Sequence, residues 1–522
     1  MDHSPRDSQS NEMTYPEGMS MTEAQPATVS AHTWPPLTIG QAKRVLEWWS
    51  SSAAFRERVM ADPERAGHEY KLGFNPDLIR PLWDDGYHKD PANEGRPTHP
   101  VVEAYRAFFR KKTQWREQVK KECAPDEPRF KAWRARQIAR NAMENGHYDQ
   151  SIIHAPFAIE LNDGCSVGCW FCGVGATKFV ETWRYSEENA ALWRAVLKVL
   201  NTKIGAAARW GFCYWATDPL DNPDYEHFAG DFADITGMYP QTTTAQGHKD
   251  PERVRKLLAV SEARGCLVNR FSVLTEPLLR QIHAEYTPDE LTRVEIVAQM
   301  RDATVPKANA GAFRTLAKTR GKVLSMEQRK LTQLAGAARA AADAGQEPTE
   351  VSIPQPGTIA CVSGFLMNMV KRSIKLISPC RASEKWPLGY IVFAERTFTD
   401  AADLERSIEE MMATHMPLEL KPEDPIRINP GFRLEPAPNG FRVMSPMTGV
   451  EFMRPDKAEF IGSIGQLVGS GDRTAGQIAL STLFQYGVPE ESTLGTLGAM
   501  FELGLLVDAQ GRIAGALPGE AR

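Results

Sequence analysis

Asp163-Gly164-Cys165-Ser166-Val167-Gly168-Cys169-Trp170-Phe171-Cys172-Gly173 decides how the chain is read. Its cysteines are spaced Cys-x3-Cys-x2-Cys, and the apolar run Phe157–Leu161 leads straight into it. Three thiolates can hold three irons of a [4Fe–4S] cubane, leaving the fourth iron open to a small molecule. Gly164, Gly168 and Gly173 give the backbone room to wrap such a group closely. Structural zinc is the first rival, but it usually takes four ligands, commonly as two close pairs. The other cysteines, Cys123, Cys213, Cys266, Cys361 and Cys380, stand alone, so zinc would need a distant fourth ligand. Three cysteines buried by accident is the blandest alternative. The spacing, the preceding strand and the glycines favour the cluster over both.

Outward from the motif, short apolar runs alternate with helical patterns. Phe157–Leu161, Trp210–Trp215, Tyr239–Thr244, Leu267–Val273 and Val294–Ala298 are strand-like, with Thr358–Gly364 a sixth. Helical patterns fill Glu187–Leu200, Tyr225–Ile235, Pro251–Arg264 and Glu276–Glu285. Strands alternating with helices imply βαβ units and a parallel sheet. The expected fold class is therefore α/β, a partial (β/α)6 TIM-like barrel over 151–400. The cysteine loop follows the first strand, at the C-terminal face where barrel enzymes keep their chemistry.

The flanks differ in character. Residues 1–34 are polar and acidic and are expected to be a disordered leader. Residues 35–150 are expected to be helical, with Ile39, Val45, Leu46, Trp48, Trp49, Phe55 and Val59 on one face. Trp48, Trp49, Trp83 and Trp115 are either packing residues, the favoured reading, or an exposed lid. An insertion at 301–350, basic at first, is expected to be a solvated helical excursion, with a basic rim for an acidic peptide as the sharper alternative. Residues 401–425 are a linker. Over 426–515 a hairpin around Pro436–Gly440 precedes helices, an α+β winged-helix-like module.

Bulk properties bound the function. The chain has 522 residues, a net charge of -5 and 42% hydrophobic residues, ordinary for globular protein. No global basic footprint points to nucleic acid, and no apolar run is long enough for a membrane span. Clustered cysteines in a chain without a signal peptide point to a reducing, cytoplasmic setting.

With Phe171 before the third cysteine, Cys-x3-Cys-x-aromatic-Cys resembles the signature of radical S-adenosylmethionine (SAM) enzymes. The resemblance implies that Cys165, Cys169 and Cys172 ligate a [4Fe–4S] cluster whose open iron binds SAM. It also implies an electron donor such as ferredoxin or flavodoxin. The family's usual Gly-Gly-Glu segment is replaced here by Tyr214-Trp215-Ala216-Thr217-Asp218-Pro219. Asp218, with Thr217 beside it, is a candidate acceptor for the SAM amino group, and an ordinary turn is the equal alternative. Ser272 is a weaker candidate for the SAM ribose or carboxylate.

Ile159 through Gly173, Tyr214–Tyr225, Thr358–Gly364 and Ser378–Phe393 resemble more narrowly the radical SAM epimerases that mature proteusin-type ribosomal peptides. That resemblance implies conversion of L- to D-residues in a precursor peptide, whose leader docks on the winged-helix-like module. One hydrogen is removed from Cα and another is returned to the opposite face. A cysteine thiol outside the cluster suits the return; Cys361 is preferred, with Cys380 the second candidate. For a single cysteine, packing is the default; Cys213 and Cys266 are expected in the core, and Cys123 is incidental. The scattered cysteines do not build an auxiliary cluster. C-methylating or C–C-linking radical SAM enzymes, or a zinc-bearing peptide escort, are the alternatives.

Overall fold

The computed structural model describes residues 34–317 and 356–507. The expected leader, apart from Trp34, lies outside the described residues, as does the insertion beyond residue 317.

Caps divide the N-terminal region into helices. In α1 (Ile39–Ser51), Thr38 and Gln41 satisfy each other's backbone N–H groups in a capping box. Ser52 caps α2 (Ala53–Ala61), and Asp62 caps α3 (Pro63–Glu69). Pro63 stands at the first helical position, where its missing N–H is no loss. α4 (Pro100–Glu122) and α5 (Pro128–Asn145) also begin on proline. Trp48 and Trp83 are buried in a core shared with Phe271 and Val294, and Trp49 packs on Trp83 at 5.2 Å between ring centroids. Trp48, Trp49 and Trp83 are packing residues, whereas Trp115 is half-buried and lines a pocket with Tyr214 and Cys361.

The central region is mixed α/β. In chain order it contains β1 (Ala155–Glu160), β2 (Asn162–Asp163), β3 (Glu181–Thr182), α6 (Glu187–Ile204), α7 (Tyr225–Thr236) and β4 (Thr243–Thr244). Then come α8 (Pro251–Ala263), β5 (Asn269–Val273), α9 (Glu276–Glu285), β6 (Val294–Ala298), β7 (Val362–Asn368), β8 (Ser373–Pro379), β9 (Tyr390–Thr397) and α10 (Ala401–His415). β4, β5 and β6 form a parallel sheet. β1 and β7 pair in parallel, and β8 and β9 extend that sheet in antiparallel fashion.

Among the described residues these strands do not join into one six-stranded barrel, which corrects the expected connectivity. A 3-10 turn over Gly205–Trp210 takes up the start of the expected second strand, leaving Phe212 to bridge Ala158 alone. Pro240, which lacks a backbone donor, precedes a third strand reduced to Thr243–Thr244. The sixth strand begins at Val362, not Thr358, and pairs with β1 instead of β6. All seven of its residues are buried, which suits a central strand covered on both faces. Phe157, Ile159, Phe365 and Met367 meet Trp193, Leu197 and Phe228 of α6 and α7 in the main core.

The expected linker at 401–425 is largely α10. Leu404, Ile408, Met411 and Met412 recur at helical spacing and are buried in the main core. The C-terminal part is a three-stranded antiparallel meander of β10 (Arg433–Ala437), β11 (Gly440–Met444) and β12 (Gly449–Met453). It is followed by α11 (Ala458–Ser470), α12 (Ala475–Tyr486) and α13 (Glu490–Glu502). The Arg136 guanidinium of α5 lies 4.3 Å from the Phe501 ring, tying this part to the rest.

Candidate functional site

The cysteine loop spans the interval between β2 and β3, which pair through Asn162 with Thr182 and Asp163 with Glu181. That ladder pins both ends of the loop beyond the C-terminal end of β1. Inside it, Cys165 N–H donates to Thr177 O at 2.9 Å, and Phe179 N–H donates to Cys165 O at 3.2 Å. The Cys172 thiol accepts from Ala176 N–H at 3.3 Å. Gly164 is required twice over: its φ is +79°, and a Cβ there would lie 2.1 Å from Lys178 O. Gly311 is equally constrained, with φ +56° and a prospective Cβ 2.3 Å from Cys172 O, while Ala312 N–H donates to that carbonyl at 2.9 Å. The segment after β6 therefore clasps the loop's far end.

All three thiols are free and half-buried. Burial pushes the Cys165 thiol up to about 11, with Asp218, Asp221 and Cys172 adding to the rise. Burial pushes Cys169 up to about 12, reinforced by Cys172 and Cys165. The three sulfurs thus share one electrostatic neighbourhood, and loading a metal there must release protons. Among the described residues no three His, Cys, Asp or Glu side chains are gathered as a single ion would gather them. Tetrahedral zinc would draw its sulfurs to about 3.8 Å from one another. A cubane takes one thiolate per iron, and three thiols are the donor set for one whose fourth iron is open.

A polar shelf lies beside the loop. Asp221 accepts from Ser166 N–H at 2.9 Å, Ser166 Oγ at 2.5 Å and Gln246 Nε2 at 2.6 Å. Asp218 is buried and accepts from Thr244 Oγ1 and Ala245 N–H, both at 2.7 Å, and from Leu220 N–H at 3.0 Å. Burial pushes its carboxyl up to about 6, against those hydrogen bonds. Asp218 therefore caps its own turn and ties it to β4, the role of the ordinary-turn alternative. Next to it, Thr217 Oγ1 and Asn162 Oδ1 are buried without a hydrogen-bond partner among the described residues. Buried orphan oxygens are rare and call for a partner. Glu160, at the end of β1, accepts from Ala216 N–H at 2.8 Å and Asn368 Nδ2 at 3.1 Å, and burial raises its carboxyl. No spacing links Asp221 or Glu160 to the cysteines, although both fall within the stretches that carry the narrower resemblance.

The remaining candidates stand on other segments. Ser272 is half-buried on β5, opposite Val297 of β6. Cys361 O accepts from Ala155 N–H at 2.8 Å, placing Cys361 at the N-terminal ends of β1 and β7; two residues earlier, the Ile359 side chain lies against the far end of the loop, 2.7 Å from where a Cβ on Gly173 would stand. Cys361 lines a pocket with Trp115, Tyr214, Cys266, Arg270 and Glu295. Burial pushes its thiol up to about 11, with Arg270 opposing. Cys380 is buried after β8, near Glu144 and Arg140 of α5, and burial holds its thiol well above its usual range. Cys213 and Cys266 are buried core residues, as expected, and Cys123 is buried too.

Fold and site together define an α/β protein with a three-cysteine loop at the end of a parallel strand. The chain belongs to the same family as the uncharacterized protein y4wI of Sinorhizobium fredii. The two are 36% identical over 452 residues, covering 85% of this chain and 82% of that one. No family model matches the chain. A crystal structure of BtrN in complex with AdoMet and 2-DOIA is similar over 27% of this chain, at 16% identity and a TM-score of 0.22. The matched region spans about half of that protein, 55%. No described helix is long and apolar enough to cross a membrane.

Proposed function

We propose that this chain is a radical SAM enzyme that epimerises residues of a ribosomally made precursor peptide. The observation that carries the proposal is the loop itself: three free, half-buried, electrostatically coupled thiols at Cys-x3-Cys-x2-Cys spacing, held beyond the end of β1. When bound, a [4Fe–4S] cluster with one open iron supplies reductive cleavage of SAM to methionine and a 5′-deoxyadenosyl radical. The chain's part is to hold and orient. Cys165, Cys169 and Cys172 supply the thiolates. Thr217 Oγ1 and Asn162 Oδ1, without partners among the described residues, are the groups available to accept from a ligand's amino group. Asp221 fixes the loop's first turn through Ser166.

The epimerase reading rests on the resemblance of the motif region and on the scattered cysteines. Burial keeps the Cys361 thiol protonated at neutral pH, the form a hydrogen-atom donor needs. Giving that hydrogen to a Cα radical leaves a thiyl; one electron from a donor such as ferredoxin or flavodoxin and one proton from solvent restore the thiol. The meander and helices at 433–502 are the proposed leader-docking part, through strand addition at an edge. The test is co-expression with a neighbouring precursor peptide in heavy water, followed by chiral amino-acid analysis. D-residues carrying one deuterium at Cα support epimerisation. A cross-linked or methylated product without deuterium assigns the chain to another radical SAM chemistry.

A further inference from the structure

Lys307 lies in the segment that clasps the cysteine loop. It is 7% exposed, and its ammonium is 5.2 Å from the centre of the Phe171 ring, between Cys169 and Cys172 in sequence. Its one hydrogen bond is to Ala298 O at the end of β6, a long 3.3 Å. No carboxylate lies within ion-pair distance of it among the described residues, whereas Arg270, Arg253 and Lys203 all have acidic partners. Burying an unpaired ammonium is costly. Carbonyl and ring contacts return only part of that cost. The position makes sense when the loop is loaded. Three thiolates on a cubane carrying two positive charges leave a net charge of about −1, and reduction makes it about −2.

We propose that Lys307 is the counter-charge of the loaded cysteine loop and positions it electrostatically, favouring the reduced state. This rests on the cluster reading above. A positive charge held against the loop, as the Lys307 ammonium is over the Phe171 ring, stabilises the form with the extra electron, and net charge is among the properties that set cluster potentials. Lys307 does not touch substrate in this account; it acts through the loop.

The experiment is a potentiometric titration of the reconstituted full chain, followed by electron paramagnetic resonance, for the unaltered protein and for Lys307→Met, Lys307→Gln and Lys307→Arg. The two neutral variants are expected to show about a tenfold lower reduced-to-oxidised ratio at a fixed potential, ~59 mV for one electron. Lys307→Arg is expected to match the unaltered chain. A folded neutral variant that takes up no iron while Lys307→Arg loads fully also supports the proposal. Unchanged potentials in both neutral variants overturn it, as does a Lys307→Arg variant behaving like the neutral ones or all three failing to load. If the unaltered chain assembles no cluster, the radical SAM reading itself fails; a cluster whose potential ignores residue 307 sinks only the role of Lys307.

Discussion

Asp221 holds Ser166 at both its backbone N–H and its hydroxyl, at 2.9 and 2.5 Å, across 55 residues of sequence. The contact joins the turn after Asp218 to the first turn of the cysteine loop, tying the polar shelf to the segment that carries the thiols. Charge-assisted bonds of this kind are stronger than neutral ones. Asp221→Ala is expected to lower iron retention after gel filtration several-fold while leaving the thermal midpoint nearly unchanged, because Ser166 is exposed. Asp221→Asn, which keeps one acceptor, is expected to fall between. Equal iron retention in all three proteins would remove Asp221 from the site.

Asp218 gives a pH signature of opposite sign to an ordinary ion-paired carboxylate. Burial pushes its carboxyl up to about 6, so the folded chain binds that proton more tightly than the unfolded chain. Its contribution is most favourable below about pH 4 and is lost as pH rises through about 6, by up to about 3 kcal/mol. Urea midpoints of the unaltered chain minus those of Asp218→Asn should fall across that window and stay flat above it. A flat difference throughout would show that Asp218 is not buried as described.

Glu295 reports the reverse. Burial alone would raise its carboxyl, but Arg270 and Lys112 outweigh it and hold it down at about 2. Its folded value is depressed, so its contribution is present above about pH 4.5 and is lost as pH falls toward about 2. Glu295→Gln leaves the half-buried Arg270 without its carboxylate and is expected to cost about 2 kcal/mol near neutral pH, less as the pH approaches 2. Denaturant melts at pH 7 and at pH 3 measure both limbs.

Cys361 and Cys380 separate cluster chemistry from hydrogen return. Cys361→Ala is expected to keep full iron content and SAM cleavage but to lose D-residue formation. Cys380→Ala, which opens a small cavity beside α5, is expected to cost about 1–2 kcal/mol of stability with epimerisation retained. Chiral analysis of peptide made by each variant distinguishes them. Normal epimerisation by Cys361→Ala would show that its cavity serves another purpose.

The helices were legible because their signals are local. Glu276–Glu285 and Pro251–Ala263 start on Thr275 and Asp250 caps and repeat apolar residues at helical spacing. Strand type was legible and strand partnership was not. The apolar run ending in Val362–Asn368 suits any buried strand, and nothing local says that it pairs with β1 instead of β6. The stretch 401–425 looked like a linker because its polar face dominates, although Leu404, Ile408 and Met411 carry a helical stripe. In the site, the cysteines were legible from spacing. Asp221 and Lys307 were not, because each reaches the loop through a tertiary contact with no sequence period. The place of Cys361 at the start of β7, two residues after Ile359 meets Gly173, depends on the same unreadable pairing.

The most direct measurement is anaerobic reconstitution of the full chain with iron and sulfide, followed by reduction in the presence of SAM. The expected result is four irons per chain, a thiolate-to-iron absorption band, and 5′-deoxyadenosine and methionine in equal amounts. All are expected to vanish in Cys165→Ala, Cys169→Ala and Cys172→Ala and to persist in Cys361→Ala. A folded chain that binds no iron, or binds it without cleaving SAM, would contradict the account at its centre.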